Sequence, residues 1–227
     1  MDLYFVLVEP AVPENIGAAA RAINTMGFRK LRLVKSNNHL ADEARWLAHG
    51  SIEILEKAEV FSDFQAAIND LDFVIGTTAK SRSAKHDYYS PEQARHLVTK
   101  KGASIEKVGI VFGREESGLK NEELAQCDIA STIPLSNPYP SINLAQSVML
   151  YSYVFSSLKV PDPEPMNPAD QRIYKELKLH ATRIMEQLDM KRDTVLFHRI
   201  LERLATANED DARSFLSFAK NFKHKFE

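Results

Sequence analysis

Cysteine is almost absent from this chain: Cys127 stands alone among 227 residues, which excludes an intrachain disulfide and any cysteine-rich metal site. Between Gln126 and Asp128 that thiol is expected to pack rather than react. No apolar run approaches the roughly 20 residues that span a bilayer. The opening Met1-Asp2-Leu3-Tyr4-Phe5 lacks the basic start of an export signal. A cytoplasmic protein that does not contact membrane is therefore expected. Positive charge is not in surplus either. The formal net charge is −2, whereas nucleic-acid-binding domains often carry a basic excess, so only a local basic patch is left open. The seven histidines show no paired ligand spacing, and no metal is expected. The chain has no P-loop, no GxSxG elbow and no GxGxxG, and Gly113-x-x-x-x-Gly118 lacks the Lys-Ser/Thr of a phosphate cradle. Ordinary nucleotide hydrolysis and hydride transfer lose support.

What is present is a series of short apolar runs alternating with helical periodicity. Hydrophobic residues make up 44% and charged residues 26%, a globular composition. Strands are expected at 3–8, 31–34, 59–61, 71–76, 108–112 and 129–135. Helices are expected at 15–26, 41–48, 63–69, 91–100, 121–126 and 141–158, with Trp46 packed at the side of the second. This alternation predicts an α/β fold with a mainly parallel sheet. Asn15 is placed as the N-cap of the first helix and Gly27 as its stop. Arg21 follows Asn15 by less than two turns, so the two could border one cleft.

Four prolines between Pro161 and Pro168 have linker composition. The chain therefore divides into a domain at 1–160, a linker at 161–168 and a helical extension at 169–227. From residue 161 onward there are 12 Lys/Arg and 12 Asp/Glu, with no net charge to attract RNA. This extension is expected to pack on a partner subunit or to guide a substrate. Asn208, with Asp211 three residues later, resembles a capping pattern.

The organising stretch is Gly109–Leu158. Two apolar runs, 109–112 and 129–135, each end in a polar loop, and loops at strand carboxyl ends are where open α/β sheets bind ligands. The polar residues gathered at such ends are Asn15 and Arg21, Arg114 and Glu115, Ser141 and Asn143. Taken singly, each has an ordinary structural use, because Asn and Ser cap helices and Arg and Glu solvate loops. The loop 77–86 has three fixed cations, a histidine and no acid. Its composition favours a solvated loop over a phosphate-contacting one.

Three segments together resemble one family. They are Asn15-Ile16-Gly17-Ala18-Ala19-Ala20-Arg21-Ala22, Val111-Phe112-Gly113-Arg114-Glu115-Glu116-Ser117-Gly118-Leu119, and Ile133-Pro134-Leu135 with Ser141-Ile142-Asn143-Leu144-Ala145-Gln146. In these the chain is similar to the SpoU/TrmH group of the SPOUT superfamily, RNA 2′-O-ribose methyltransferases, and most to the TrmJ and LasT-like branch. The resemblance implies a sheet whose carboxyl-terminal segment forms a trefoil knot, a rare exception to unknotted topology. It implies S-adenosylmethionine as cofactor, held by Thr77, Thr78, Ala79, Gly113, Ile133, Ser141, Ile142 and Leu144, largely through backbone.

It also implies a homodimer with shared sites and an RNA substrate, tRNA ahead of rRNA, with no DNA. Arg21 would carry the catalytic work, with Asn15 orienting it or the substrate. Glu115 would hold an arginine or a ribose hydroxyl, and Asn143 with Ser141 would set the knot loop. Lys80, Arg82, Lys85, Arg29, Lys30 and Arg114 are candidates for phosphate contacts. Two alternatives stand beside this reading: an rRNA methyltransferase, and a non-catalytic RNA-binding protein of the same fold.

Overall fold

Runs such as Leu3–Val8, β-branched and aromatic with no polar face, suit strands covered on both sides. In the computed structural model they form one parallel sheet. The described residues are 1–79, 85, 87–137, 142–159, 170–205 and 207–226. The strands are β1 (Asp2–Val8), β2 (Lys30–Val34), β3 (Glu59–Phe61), β4 (Phe73–Thr77), β5 (Tyr88–Tyr89), β6 (Lys107–Phe112) and β7 (Ile129–Ser131). Their order is β3-β2-β1-β6-β4-β7-β5, and every pairing is parallel. All strand carboxyl ends therefore reach one edge. Two late strands are interleaved: β6 lies between β1 and β4, and β7 between β4 and β5. Such a path re-enters its own sheet. The loop that would close the implied knot includes 138–141, outside the described residues, as is Ser141 itself.

The helices are α1 (Pro13–Thr25), α2 (Asp42–Ala48), α3 (Ile52–Glu56), α4 (Phe64–Ile68), α5 (Pro91–Lys101), α6 (Asn121–Gln126) and α7 (Leu144–Ser156), followed by α8 (Gln171–Gln187), α9 (Val195–Ala205) and α10 (Glu209–Phe226). One face of the sheet buries Phe5, Leu7, Phe112 and Ile110 against Ile16 and Ile23 of α1 and Tyr151 and Phe155 of α7. The other buries Val6, Val74, Val111 and Ala130 against Leu124 and Cys127. Cys127 packs there as expected, and burial pushes its thiol up to about 12. Gly17 lets α1 approach α2 closely, since a Cβ there would lie 2.0 Å from the carbonyl oxygen of Ala44.

Several expectations change. Asn15 is not the cap of α1, which starts at Pro13 with Val12 before it. Proline is tolerated at that first position because its missing N–H has no helical partner there, and this frees Asn15 for another use. Gly27 does end α1, at φ 81. Trp46 is 67% exposed rather than packed. The last strand stops at Ser131, and α7 starts at Leu144, capped by Asn143. The short strand β5 and helix α3 have no clear sequence signal. The linker 161–168 lies outside the described residues.

The helical extension docks on the sheet of its own chain, at the amino edge. Asp128, just before β7, accepts from Val74 N (2.8 Å), Tyr174 OH (2.9 Å) and Lys178 Nζ (2.8 Å). Lys175 pairs with Asp72 at 3.0 Å. The Lys101 ammonium lies 5.1 Å from the Phe73 ring and 4.3 Å from the Tyr174 ring. Lys85 and Glu202 form an ion pair at 3.4 Å with both side chains 2% exposed. Asn208 Oδ1 accepts from Asp211 N at 2.8 Å, the backbone half of the expected capping pattern.

Candidate functional site

The loops after β1, β6 and β7 meet at the carboxyl edge through one chain of hydrogen bonds. The Glu115 carboxylate accepts from Asn15 Nδ2 (3.0 Å), Ala11 N (3.1 Å) and Val12 N (3.2 Å). Asn15 Oδ1 accepts from Asn143 Nδ2 at 2.9 Å. Asn143 Oδ1 caps α7, accepting from Ala145 N (2.9 Å) and Gln146 N (3.3 Å). The direction of this relay is fixed at both ends. An ionised carboxylate only accepts, so Asn15 must offer its amide nitrogen; the helix start only donates, so Asn143 must offer its oxygen. No other orientation of the two amides satisfies all partners. Burial pushes the Glu115 carboxyl up, but the donations from Asn15 and the backbone outweigh it and hold the group below its usual value.

Arg114 is turned the other way. Its Nε donates to Glu9 Oε2 at 2.9 Å and its terminal nitrogens to Glu123 at 3.0 and 2.9 Å, with a further contact to Glu9 Oε1 at 2.7 Å. These bonds, first to Glu123 and then to Glu9, hold its charge still more firmly than usual. The main chain of Arg114 bridges to Gly118 (2.9 and 3.3 Å), closing the 113–118 turn. Gly113 is required there, because a Cβ would lie 2.1 Å from the backbone of Gly118 and Leu119. Glu9 itself has φ 47, a region that costs a non-glycine residue roughly 1–2 kcal/mol.

Beside the relay opens a cavity of about 360 Å³, within the roughly 300–1,000 Å³ of small-molecule sites. Thr77, Thr78, Ala79, Gly113, Ile133, Ile142 and Leu144 all line it, as does Glu115. Phe112, Leu135, Ser147 and Tyr151 line it too and were missed. A signal existed for part of this group: Leu144, Ser147 and Tyr151 follow one face of α7 at i, i+3 and i+7. Tyr151 donates to Ser131 Oγ (2.7 Å), which donates to Tyr89 O (2.8 Å), so the ring is held edge-on to Phe112 with centroids 5.5 Å apart. Thr77 Oγ1 donates to Val111 O at 2.8 Å, tying β4 to β6 at the cavity mouth.

Other candidates fall elsewhere. Arg21 is exposed on α1 and is not among the lining residues; Asn15 faces Glu115 and Asn143 rather than Arg21. Glu115 holds an asparagine and two backbone amides, not an arginine. Among the phosphate-contact candidates, Arg114 is committed to two carboxylates and Lys85 to Glu202. Arg29 and Lys30 are exposed at the amino end of β2, on the far edge. Lys80 and Arg82 lie outside the described residues. No cluster of metal-ligating side chains occurs among the described residues, and none of their helices is long and apolar enough to cross a membrane.

The SpoU rRNA Methylase family matches residues 2–153. The "uncharacterized tRNA/rRNA methyltransferase LasT" of Escherichia coli K12 is 39% identical over 211 residues, covering 93% of this chain and 92% of that one. The tRNA (cytidine-2′-O-)-methyltransferase TrmJ of Methanocaldococcus jannaschii is 38% identical over 159 residues, 68% of this chain and 67% of TrmJ. The crystal structure of TrmJ from Z. mobilis ZM4 superposes with a TM-score of 0.69 at 26% identity, covering 98% of this chain and all of that one, 100%.

Proposed function

The chain belongs to the SpoU rRNA methylase family, a family of RNA methyltransferases, and from that premise we propose that it moves a methyl group from S-adenosylmethionine to a ribose 2′-hydroxyl of tRNA. The relay carries the reading: it joins three loops separated by 100 and 128 residues in sequence beside a ligand-sized cavity.

The residues fit that cofactor. Ile133, Leu135, Ile142 and Leu144 with the Phe112 and Tyr151 rings offer apolar walls to a flat purine. The backbone of Thr78–Ala79 and of the 113–118 turn offers polar groups to ribose and amino acid. Gly113, whose missing side chain would collide with the turn, brings that backbone to the cavity wall. When bound, the cofactor supplies an electrophilic methyl group on a sulfonium.

The chain's own residues position and stabilise. Glu115, Asn15 and Asn143 hold the three loops in register, so the cavity and the α7 start cannot drift apart. Arg21 stands apart from the cavity of its own chain, which suits a homodimer in which it serves the partner's site. Leu150 and Tyr153 on α7, 40% and 66% exposed, offer apolar surface for such a contact. A guanidinium stays protonated in proteins and is a poor base. Arg21 instead grips the neighbouring phosphate and stabilises charge developing on the 2′-oxygen.

The test is transfer of labelled methyl from S-adenosylmethionine by the full chain to tRNA and to rRNA from a strain lacking the gene. Label at a ribose of tRNA is expected. Label on rRNA alone would reassign the substrate, and label on neither would favour a non-catalytic RNA-binding protein. Arg21→Ala should lower turnover about 10²–10³-fold with cofactor affinity retained.

A further inference from the structure

Glu9 follows β1 at φ 47, a backbone conformation that glycine or asparagine takes with less strain. The position nevertheless holds a carboxylate, and that carboxylate is aimed at Arg114, meeting its guanidinium at 2.9 and 2.7 Å. Glu123 of α6 grips the same guanidinium from the other side. Lys35 Nζ, 3.7 Å from Glu9 Oε1, is a second cation facing Glu9, and Lys120 adds a third. Every residue from Gly113 to Gly118 lines the cavity, whereas Glu9 does not touch it. Without Glu9, the turn would stay attached to α6 through Glu123 and to Ala11, Val12 and Asn15 through Glu115, but Arg114 would lose its hold on the residue that follows β1.

We propose that Glu9 is a positioning residue for the methyl donor's cavity: by holding Arg114 from the end of β1, it fixes the 113–118 turn over the cavity and so sets the affinity for the donor. This rests on the cavity being the S-adenosylmethionine site. Arg114, charged and plausible as an RNA contact in the sequence, is thereby a strut, and Glu9 is the anchor that a motif search passes over.

The experiment titrates S-adenosylmethionine calorimetrically into the full chain as wild type, Glu9→Gln and Glu9→Gly, at a temperature where circular dichroism shows each folded. Glycine removes the carboxylate and the strain together; glutamine keeps the strain and one acceptor. Glu9→Gly should raise Kd about tenfold, the worth of one hydrogen bond to a charged group, with Glu9→Gln between it and wild type. Thermal melting is read in parallel, because a purely structural Glu9 would shift melting and leave Kd unchanged. Wild-type affinity in Glu9→Gly overturns the proposal. So does wild-type affinity in Glu9→Gln beside weakened binding in Glu9→Gly, which would assign the effect to the freed backbone rather than to the carboxylate. A wild type that does not bind the donor overturns the cavity reading itself and this inference with it.

Discussion

At the carboxyl edge Glu115, Asn15 and Asn143 are bonded in series beside an open cavity. At the amino edge Asp128 gathers Val74 N, Tyr174 and Lys178 under α8, and Lys85 and Glu202 are closed off together. Both edges hold buried or half-buried polar groups, yet the first set borders the ligand-sized cavity and the second does not line it. A buried polar cluster is therefore not itself a sign of a site; what distinguishes the two is the cavity that the first one borders.

Removing Asp128 should show the amino edge at its strongest. Asp128→Ala strands three donors, one of them charged, and should cost about 4 kcal/mol in urea unfolding, while S-adenosylmethionine affinity of the folded variant stays at the wild-type value. A large loss of affinity would erase the division between the edges. Gly113→Ala comes next. Its Cβ would lie 2.1 Å from backbone and should cost about 3 kcal/mol, with donor affinity lost as well, because the turn itself must move.

Asn15→Asp should cost about 2 kcal/mol at neutral pH, since it sets a carboxylate oxygen against Glu115 where Asn15 Nδ2 now donates at 3.0 Å. The pH dependence separates it from wild type. Glu115 is held below the ordinary value of a glutamate carboxyl, so its contribution is present above that ordinary value and fades as pH falls through the folded value. In the variant the facing carboxylates share a proton at a raised pKa, so stability is regained as pH falls. Parallel acid profiles for the two proteins would break the relay argument.

A further test takes the amino edge into alkali. Burial pulls the Lys101 ammonium from 10.5 down to about 8. The unfolded chain then binds the extra proton above that pH, so stability should rise with pH from about 8 to 10 at no more than about 1.4 kcal/mol per unit. Lys101→Met should flatten that rise. An unchanged slope would mean that the Phe73 and Tyr174 rings hold the cation charged throughout.

Much of this was legible in sequence because apolar runs ending in polar loops report strand direction, and three such loops were read together. The rest depended on partners far along the chain. Arg114 reads as an exposed phosphate contact until Glu9, 105 residues earlier, is brought against it. Lys85 has the same ambiguity, and Glu202 resolves it. Asn15 reads as a cap because asparagine suits caps; Pro13 had already started the helix. The strand β5 is two residues long and exists only because β7 lies beside it, a pairing that local composition does not encode.

The interleaved order of the strands has a consequence for synthesis. Until β7 leaves the ribosome, β5 has no strand to join and β4 keeps one side open, the kind of exposed edge on which chains associate. A message cut short between α6 and β7 would thus yield a polypeptide that lacks the cavity's last wall and is also adhesive. Early addition of a ligand for the cavity cannot rescue it, because the closing wall is on the missing part.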